Sequence, residues 1–467
     1  MISTKYYPNF FKRTKMIFIH KPGTDPHDPV NYRPISLLEI LGKIFEKIIS
    51  TRLTYFFEYN NLFNENQFGF RGSRSTQHAI NNITEVINEN KKQDQITLIA
   101  TRDVHKAFDT LWHKGLIYKL SKLYNLDIEF ISLIYNYLKG RWAIPHFANS
   151  EGPKILINAG VPQGSCLGPV LYLIYVNDTP KTVYNDTIIS QFADDKIHII
   201  RATGSTFAKK VEKAIRKIIT ELQHTQEWEA KWKIKTNSNK SSIMPIGCTV
   251  GKIEEYGGVT VNNNPIKITN KLKILGVTLD NKKQCTQHIN YLLHNATYNL
   301  QKLYSFKTAP TKIKLSLYKS LIRPLIEYPC LQILNSGITN IKKLQGIQNK
   351  ALRYIHNIKL SDKVKNEKLH QLSKIDPINI RISKLSRKFC HKLRELYFPE
   401  EGDISNTIYK LSYLSEYTIE NNPIKSKKPS VSQSINENII INHRKYNILN
   451  IPQGWDEWIL PNPVFNA

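Results

Sequence analysis

Cysteine is scarce and scattered: Cys166, Cys248, Cys285, Cys330 and Cys390 are all that 467 residues contain. No C-x-x-C pair occurs, so neither a zinc site nor a disulfide framework is indicated, and a reducing compartment fits best. Long apolar runs are missing too. None reaches the ~18 residues of a spanning helix, and the start MISTKYYPNFFKRTK lacks the uninterrupted apolar core of a signal peptide. An intracellular, soluble protein with no membrane partner is expected. There is no internal repeat. Acid is in short supply as well, with 38 Asp and Glu against 66 Lys and Arg, a formal charge of +28. So lopsided a balance implies a polyanionic partner, nucleic acid ahead of a membrane surface.

What is present alternates strands with helices. A short apolar run at Met16–Ile19 ends in HKPGTDPHDPVNYRP, whose prolines and Gly23 read as a loop between extended segments. ISLLEILGKIFEKIISTRLTYFFEY has helical periodicity, with Leu37, Leu38, Leu41, Ile44, Phe45, Ile48 and Ile49 on one broad face. TQHAINNITEVINENKK is a second helix, QITLIAT a strand running into Asp103, and HKAFDTLWHKGLIYKLSKLY helical. RWAIPHF and KILINAGVPQGS read as strands, and GPVLYLIYVNDTP as a helix. KKVEKAIRKIITELQHTQEWEAKW is strongly amphipathic, KLKILGVTLD is a strand and turn, and 286–360 is mostly helical. Beyond about 361 the chain is basic and polar, an asparagine and lysine bias rather than a motif.

The few acids are placed with purpose. In TIISQFADDKIHII, Asp194 and Asp195 lie between two β-forming runs, a pattern for a hairpin with both carboxylates at its turn. Adjacent strand side chains diverge, so one of the two points into a site more directly. Asp103 ends another apolar strand. Two strand-end acidic sites suit two divalent cations: Mg²⁺ takes hard oxygen ligands, and an ion pair can clamp an in-line phosphoryl displacement. The basic surplus then holds a polyanion that these carboxylates would repel.

NYRPISLLEILGKIFEKI, QFGFRGSRST, DVHKAFDTLWHKGL, GVPQGSCLGPVLY, FADD and LKILGVTLD occur here in the order found in reverse transcriptases of non-LTR (LINE-type) retrotransposons. The chain resembles the jockey group of these elements most, over roughly residues 8 to 390. The resemblance implies an α+β right-hand polymerase fold: fingers and palm over 1–280, with an antiparallel palm core at about 96–280, a helical thumb over 281–360, and a basic C-terminal region over 361–467. It implies RNA-directed DNA synthesis from dNTPs with two Mg²⁺ ions, Mn²⁺ being a substitute, on an RNA template and DNA primer, hence on RNA–DNA duplex. Location in the nucleus, at the site of integration, follows from how such elements copy themselves.

Residue by residue, Asp103 matches the first metal-binding aspartate, Asp194 the second and Asp195 its less strictly required neighbour. Phe108 matches the aromatic that excludes a ribose 2′-OH. Gln163 and Gly164 match the loop over the incoming base pair, and Lys21 and Arg33 the fingers cations that meet the triphosphate. Arg71 and Arg74 match positions that hold the fingers or the template backbone. Lys240 matches a lysine proposed as general acid toward pyrophosphate, and Leu275 and Gly276 the hairpin that grips the primer end.

Three departures stand out. Arg102 replaces the usual apolar residue before Asp103, and would either pair with an acidic neighbour or perturb the metal site. Lys196 follows FADD where a small hydroxyl residue is usual, setting a cation beside the metal ligands. His105 stands where acidic or small polar residues are common. The family's N-terminal endonuclease segment is also absent, which reads as a fragment or decayed copy of an element. The rival expectation is accordingly a copy that binds RNA or RNA–DNA duplex without catalysis.

Overall fold

The computed structural model describes residues 4–397 apart from 148–149, 237–240, 282–284, 335 and 360. An antiparallel hairpin, β1 (Arg13–His20) and β2 (Tyr32–Leu37), is followed by helices α1 (Ile40–Tyr59) and α2 (Thr76–Lys92). Strand β3 (Ile96–Arg102) leads through α3 (Ala107–Thr110), α4 (His113–Tyr118) and α5 (Ile128–Leu138) to β4 (Arg141–Phe147). β4 runs parallel to β1 and carries the short strands β5 (Ser150–Glu151) and β6 (Ile155–Ile157). The AGVPQGS segment, expected to extend a strand, is loop instead. Its backbone hydrogen bonds go to α3 and β2, from Val161 N to Phe108 O and from Ser36 N to Gln163 O, rather than to a ladder.

After α6 (Gly168–Val176) comes the hairpin β7 (Ile188–Phe192) and β8 (Asp195–Ala202), then α7 (Phe207–Lys231) and β9 (Ser242–Ile246). After α8 (Val250–Glu255) and a separate two-stranded hairpin, β10 (Thr260–Val261) and β11 (Asn264–Pro265), strand β12 (Lys267–Ile268) completes a central sheet of order β12-β9-β3-β8-β7. A separate hairpin, β13 (Lys271–Ile274) and β14 (Val277–Asp280), leads to the helices α9 (Thr286–Tyr304), α10 (Thr311–Leu321), α11 (Arg323–Glu327), α12 (Cys330–Leu334), α13 (Ile338–Ile355), α14 (Asn366–Ser373) and α15 (Ile378–Tyr397). The helical core that begins with Ile289 continues to Phe389, so the stretch beyond 361 contains two further packed helices, α14 and α15.

β3 is apolar on both faces because both are covered. Leu98 and Ala100 pack with Ile200 and Ala202 under Val211, Ala214, Ile218 and Leu222 of α7. Ile99, with Ile197 and Ile199, faces Ile80 and Ile83 of α2 and Leu272 and Val277 of the β13–β14 hairpin. The three layers make an α+β architecture whose central strands end in the acidic residues.

The helix read over residues 35–59 starts at Ile40, and its buried side differs from the expected one. Leu37 lies in β2, and Leu41, Ile44 and Ile48 are exposed. The buried edge is Gly42, Glu46, Ile49, Leu53 and Phe57. Glu46 is drawn inward because its carboxylate accepts from Ser165 Oγ (2.6 Å) and Cys166 N (2.9 Å). Gly42 lets Tyr7 and Phe11 approach; a Cβ there would lie 2.9 Å from the Tyr7 hydroxyl. Hydrophobic periodicity found the helix, and a buried hydrogen-bonded acid chose its face.

Candidate active site

β3 and β8 are antiparallel neighbours, with Thr101 opposite Ile197 and Arg102 opposite Lys196. Side chains alternate across a strand, so Asp103 shares a face with Thr101 and Ile99, while Arg102 points the other way. At the far end of the β7–β8 hairpin Phe192 pairs with Asp195, leaving Ala193 and Asp194 as a two-residue turn with Ala193 at φ +56°. Asp194 thus occupies the turn as expected, whereas Asp195 is the first residue of β8. Continuing the register, Asp103 and Asp195 end their strands side by side. Both line one cavity of about 200 Å³ whose opposite wall is Lys273, Ile274 and Leu275 of the β13–β14 hairpin. All three aspartates are half-buried.

Arg102 and Lys196 are turned to the covered face. Arg102 donates to Glu229 Oε2 (2.5 Å), to the Thr236 hydroxyl (2.9 Å) and to Leu222 O (3.1 Å). Lys196 reaches Glu229 Oε1 at 3.4 Å and lies 4.2 Å from the centre of the Trp228 ring. All three charged groups are buried. Burial pushes the Lys196 ammonium down to about 8 against the opposing pull of Glu229. His198, next on that face, is held well below its usual value by burial and then by Arg102 and Lys196, and stays neutral. Both residues also border the cavity, but their charged groups are paired with Glu229 behind the sheet.

The remaining candidates gather around this core. The Phe108 ring packs on Tyr172 (5.1 Å) and meets the Phe70 ring edge-on (6.1 Å). Gln163 Nε2 donates to Asp109 Oδ1 (2.8 Å), and burial raises that carboxyl's pKa while the amide bond opposes the rise. Gly164 lies so close to β2 that a Cβ would sit 2.5 Å from Ser36 O, at φ +124°. Lys21 and exposed Arg33 share a face of the β1–β2 hairpin, Ile19 being opposite Arg33. The Lys21 ammonium donates to Val30 O (2.7 Å). Arg71 grips Glu58 with two nitrogens (2.9 and 2.5 Å) and also donates to Asn64 O. Arg74 lies over the Phe68 ring (5.5 Å). Leu275 and Gly276 form the β13–β14 turn, both at positive φ, and Tyr328 Oη donates to Leu275 O (2.6 Å). Lys240 lies outside the described residues.

The cavity offers carboxylate oxygens and no thiolate or imidazole, a donor set that fits Mg²⁺. No group of three or more metal-ligating side chains is assembled among the described residues.

A family model described as reverse transcriptase (RNA-dependent DNA polymerase) matches residues 19–279, which includes every one of these aspartates. The chain belongs to the reverse transcriptase family. It is 30% identical over 402 residues to a probable RNA-directed DNA polymerase from transposon X-element of Drosophila melanogaster, covering 84% of this chain and 43% of that protein. It is 30% identical over 360 residues to the RNA-directed DNA polymerase from mobile element jockey of Drosophila funebris, covering 75% of this chain and 38% of that one. The chain thus spans less than half the length of these relatives, and the likeness to jockey-type non-LTR elements read from the motifs is borne out. Apo telomerase from Candida tropicalis is a structural neighbour with a TM-score of 0.42 and 10% identity, covering 88% of this chain and 66% of that one.

Sequence reading of this reverse transcriptase missed Glu229 and Lys273. Glu229 did carry a signal: it continues the inward stripe Val211, Ile218, Leu222, Thr225 of α7, where an acid needs a buried cation. Lys273 carried none, because only the fold sets β13 across from Asp103.

Proposed function

We propose that the chain is an RNA-directed DNA polymerase that adds dNTPs to a primer 3′-OH on an RNA template. The observation that carries this reading is the pairing of Asp103 and Asp195 at the rim of one cavity, with Lys273, Ile274 and Leu275 of the β13–β14 hairpin on its far wall. In this reading fingers and palm occupy 1–280, the thumb 281–360, and 361–467 is a basic C-terminal region whose helices α14 and α15 pack into the thumb's core. Asp103, Asp194 and Asp195 hold two Mg²⁺ ions, with Mn²⁺ as substitute. Bound there, the metal lowers the pKa of the attacking hydroxyl and neutralises charge on the leaving pyrophosphate.

The other residues bind and orient. Lys21 and Arg33 neutralise the triphosphate, and the Phe108 ring closes the space a ribose 2′-OH would need. Gln163 and Gly164 bring backbone and amide to the incoming base pair, while Leu275 and Gly276 seat the primer end. Arg71 and Arg74 hold the fingers or the template backbone. Lys240 is the proton donor to pyrophosphate in this scheme. The basic helices track an RNA–DNA duplex by phosphate contacts. No helix among the described residues is long and apolar enough to cross a membrane; action in the nucleus, at the integration site, is part of the proposal.

The test is dTTP incorporation on oligo(dT)-primed poly(rA) with Mg²⁺, comparing the chain with Asp194→Ala. Incorporation by the former alone supports the polymerase. Folded proteins that both bind the duplex in a salt-sensitive way, yet neither of which incorporates, would instead establish a binding relic.

A further inference from the structure

We propose that Gln67 is a positioning residue for the Ala193–Asp194 turn, its side-chain amide standing in for a neighbouring strand; this rests on the polymerase reading above. Gln67 is 2% exposed. Its Oε1 accepts from Ala193 N (2.8 Å) and from Gly69 N (2.9 Å). Its Nε2 donates to Ala193 O (3.3 Å) and, at the limit of reach, to Gln191 Oε1 (3.5 Å). One side chain thus satisfies both backbone groups of the buried turn residue.

Ala193 has need of such a partner. It holds a left-handed conformation at φ +56°, which a residue with a Cβ adopts only when its surroundings over-determine it. The surroundings do so: Gln191 N donates to Asn66 O and Phe68 N to Gln191 O, both at 2.8 Å, stitching 66–68 along the β7 edge. Gly69 closes the clamp, since a Cβ there would lie 2.4 Å from Ala193 N. The direction of the Asp194 carboxylate depends on the backbone angles of this turn. Holding the turn through Gln67 therefore sets the carboxylate before any substrate arrives, the preorganisation that two-ion chemistry requires.

Gln67→Met keeps an unbranched chain of similar length and removes both the donor and the acceptor. Turnover per active molecule, counted by the burst of the first nucleotide, is expected to fall about 10- to 100-fold. The Mg²⁺ concentration for half-maximal rate should rise, with KM for dNTP and duplex affinity within about twofold of the unaltered chain. Amide hydrogen exchange over 192–195, measured without metal, should quicken at least about tenfold while β3 stays protected. Gln67→Glu keeps the acceptor and loses the donor, so both readouts should fall between those of the Met variant and the unaltered chain.

Unchanged exchange over 192–195 in the Met variant, or unchanged turnover and Mg²⁺ dependence per active molecule, overturns the proposal. Should Gln67→Met fail to fold, Gln67→Glu decides: exchange and turnover equal to the unaltered chain would overturn it. If the unaltered chain itself does not incorporate, the polymerase reading fails, and the exchange measurement alone decides whether Gln67 holds the turn.

Discussion

The two faces of the β3–β8 pair are built from alternate residues of the same strands and have opposite requirements. On one, Asp103 and Asp195 stand at the rim of an open cavity, where water or a cation can reach them. On the other, one residue away, Arg102 and Lys196 are sealed under α7 and share Glu229. An open face can share its charges with water or with a ligand that reaches it. A closed face must neutralise its own, because desolvation of an unpaired ion costs several kcal/mol. The difference teaches that a cation next to an acid in sequence need not share its face or its partner when both lie on a strand.

The largest effect should come from the turn that adjoins the open face. Asp194→Ala is expected to reduce incorporation by at least about 10³-fold, ~4 kcal/mol of transition-state stabilisation, with the melting temperature little changed. Primer extension alongside thermal unfolding measures both; a variant that melts early would erase the distinction between the faces.

Glu229→Ala is the counterpart on the closed face. It strands two buried cations and should cost about 3–5 kcal/mol of folding stability by urea unfolding. Replacing Arg102, Lys196 and Glu229 together by Met, Met and Leu should restore most of that loss, since an apolar set needs no charge balance. A triple variant as unstable as the single one would mean that the cluster does more than balance itself.

Phe108→Val lies at the edge of the open face and should act on selectivity, not stability. Opening room beside Tyr172 is expected to raise the ribonucleotide-to-deoxyribonucleotide ratio about 10- to 100-fold, 1–3 kcal/mol, in single-nucleotide extension assays. An unchanged ratio would remove Phe108 from the sugar-selecting role.

The smallest effect is a pH slope on the closed face. His198 stays neutral when folded and takes a proton near 6.5 when unfolded, so the unfolded chain binds more protons as the medium acidifies. Stability should therefore be full above about pH 6.5 and fall by about 1 kcal/mol on going from pH 6.5 to about 5.5. His198→Leu should flatten that part of the profile in denaturant titrations.

Local pattern made much of this legible. The β3 run, the hairpin around Asp194 and the amphipathic α7 follow from spacing within ten or twenty residues, and the ordered motifs carried the family. What escaped depended on partners far along the chain. Glu46 is held by Ser165 and Cys166, Gln67 by Ala193, and Arg102 by Glu229. Periodicity assigned α1 the wrong buried face because it weighs Leu41 and Ile44 as core and cannot foresee that an acid will be welcomed inside. It also ended the helical region too early, since α14 and α15 bury isolated residues such as Leu369 and Phe389 between long polar stretches.

Tyr328 sits between α11 and α12, and its hydroxyl holds the carbonyl of Leu275 at the cavity wall. Its own carbonyl is held in turn by Gln77 of α2. The helical bundle cannot tilt as a rigid body without breaking that first bond, worth about 1 kcal/mol, or dragging the wall with it. A load on the helices is thus transmitted to the rim facing Asp103. Tyr328→Phe would leave every carboxylate in position while removing one of the bonds that tie the bundle to the cavity wall, the Thr278 N to His288 Nδ1 bond being another.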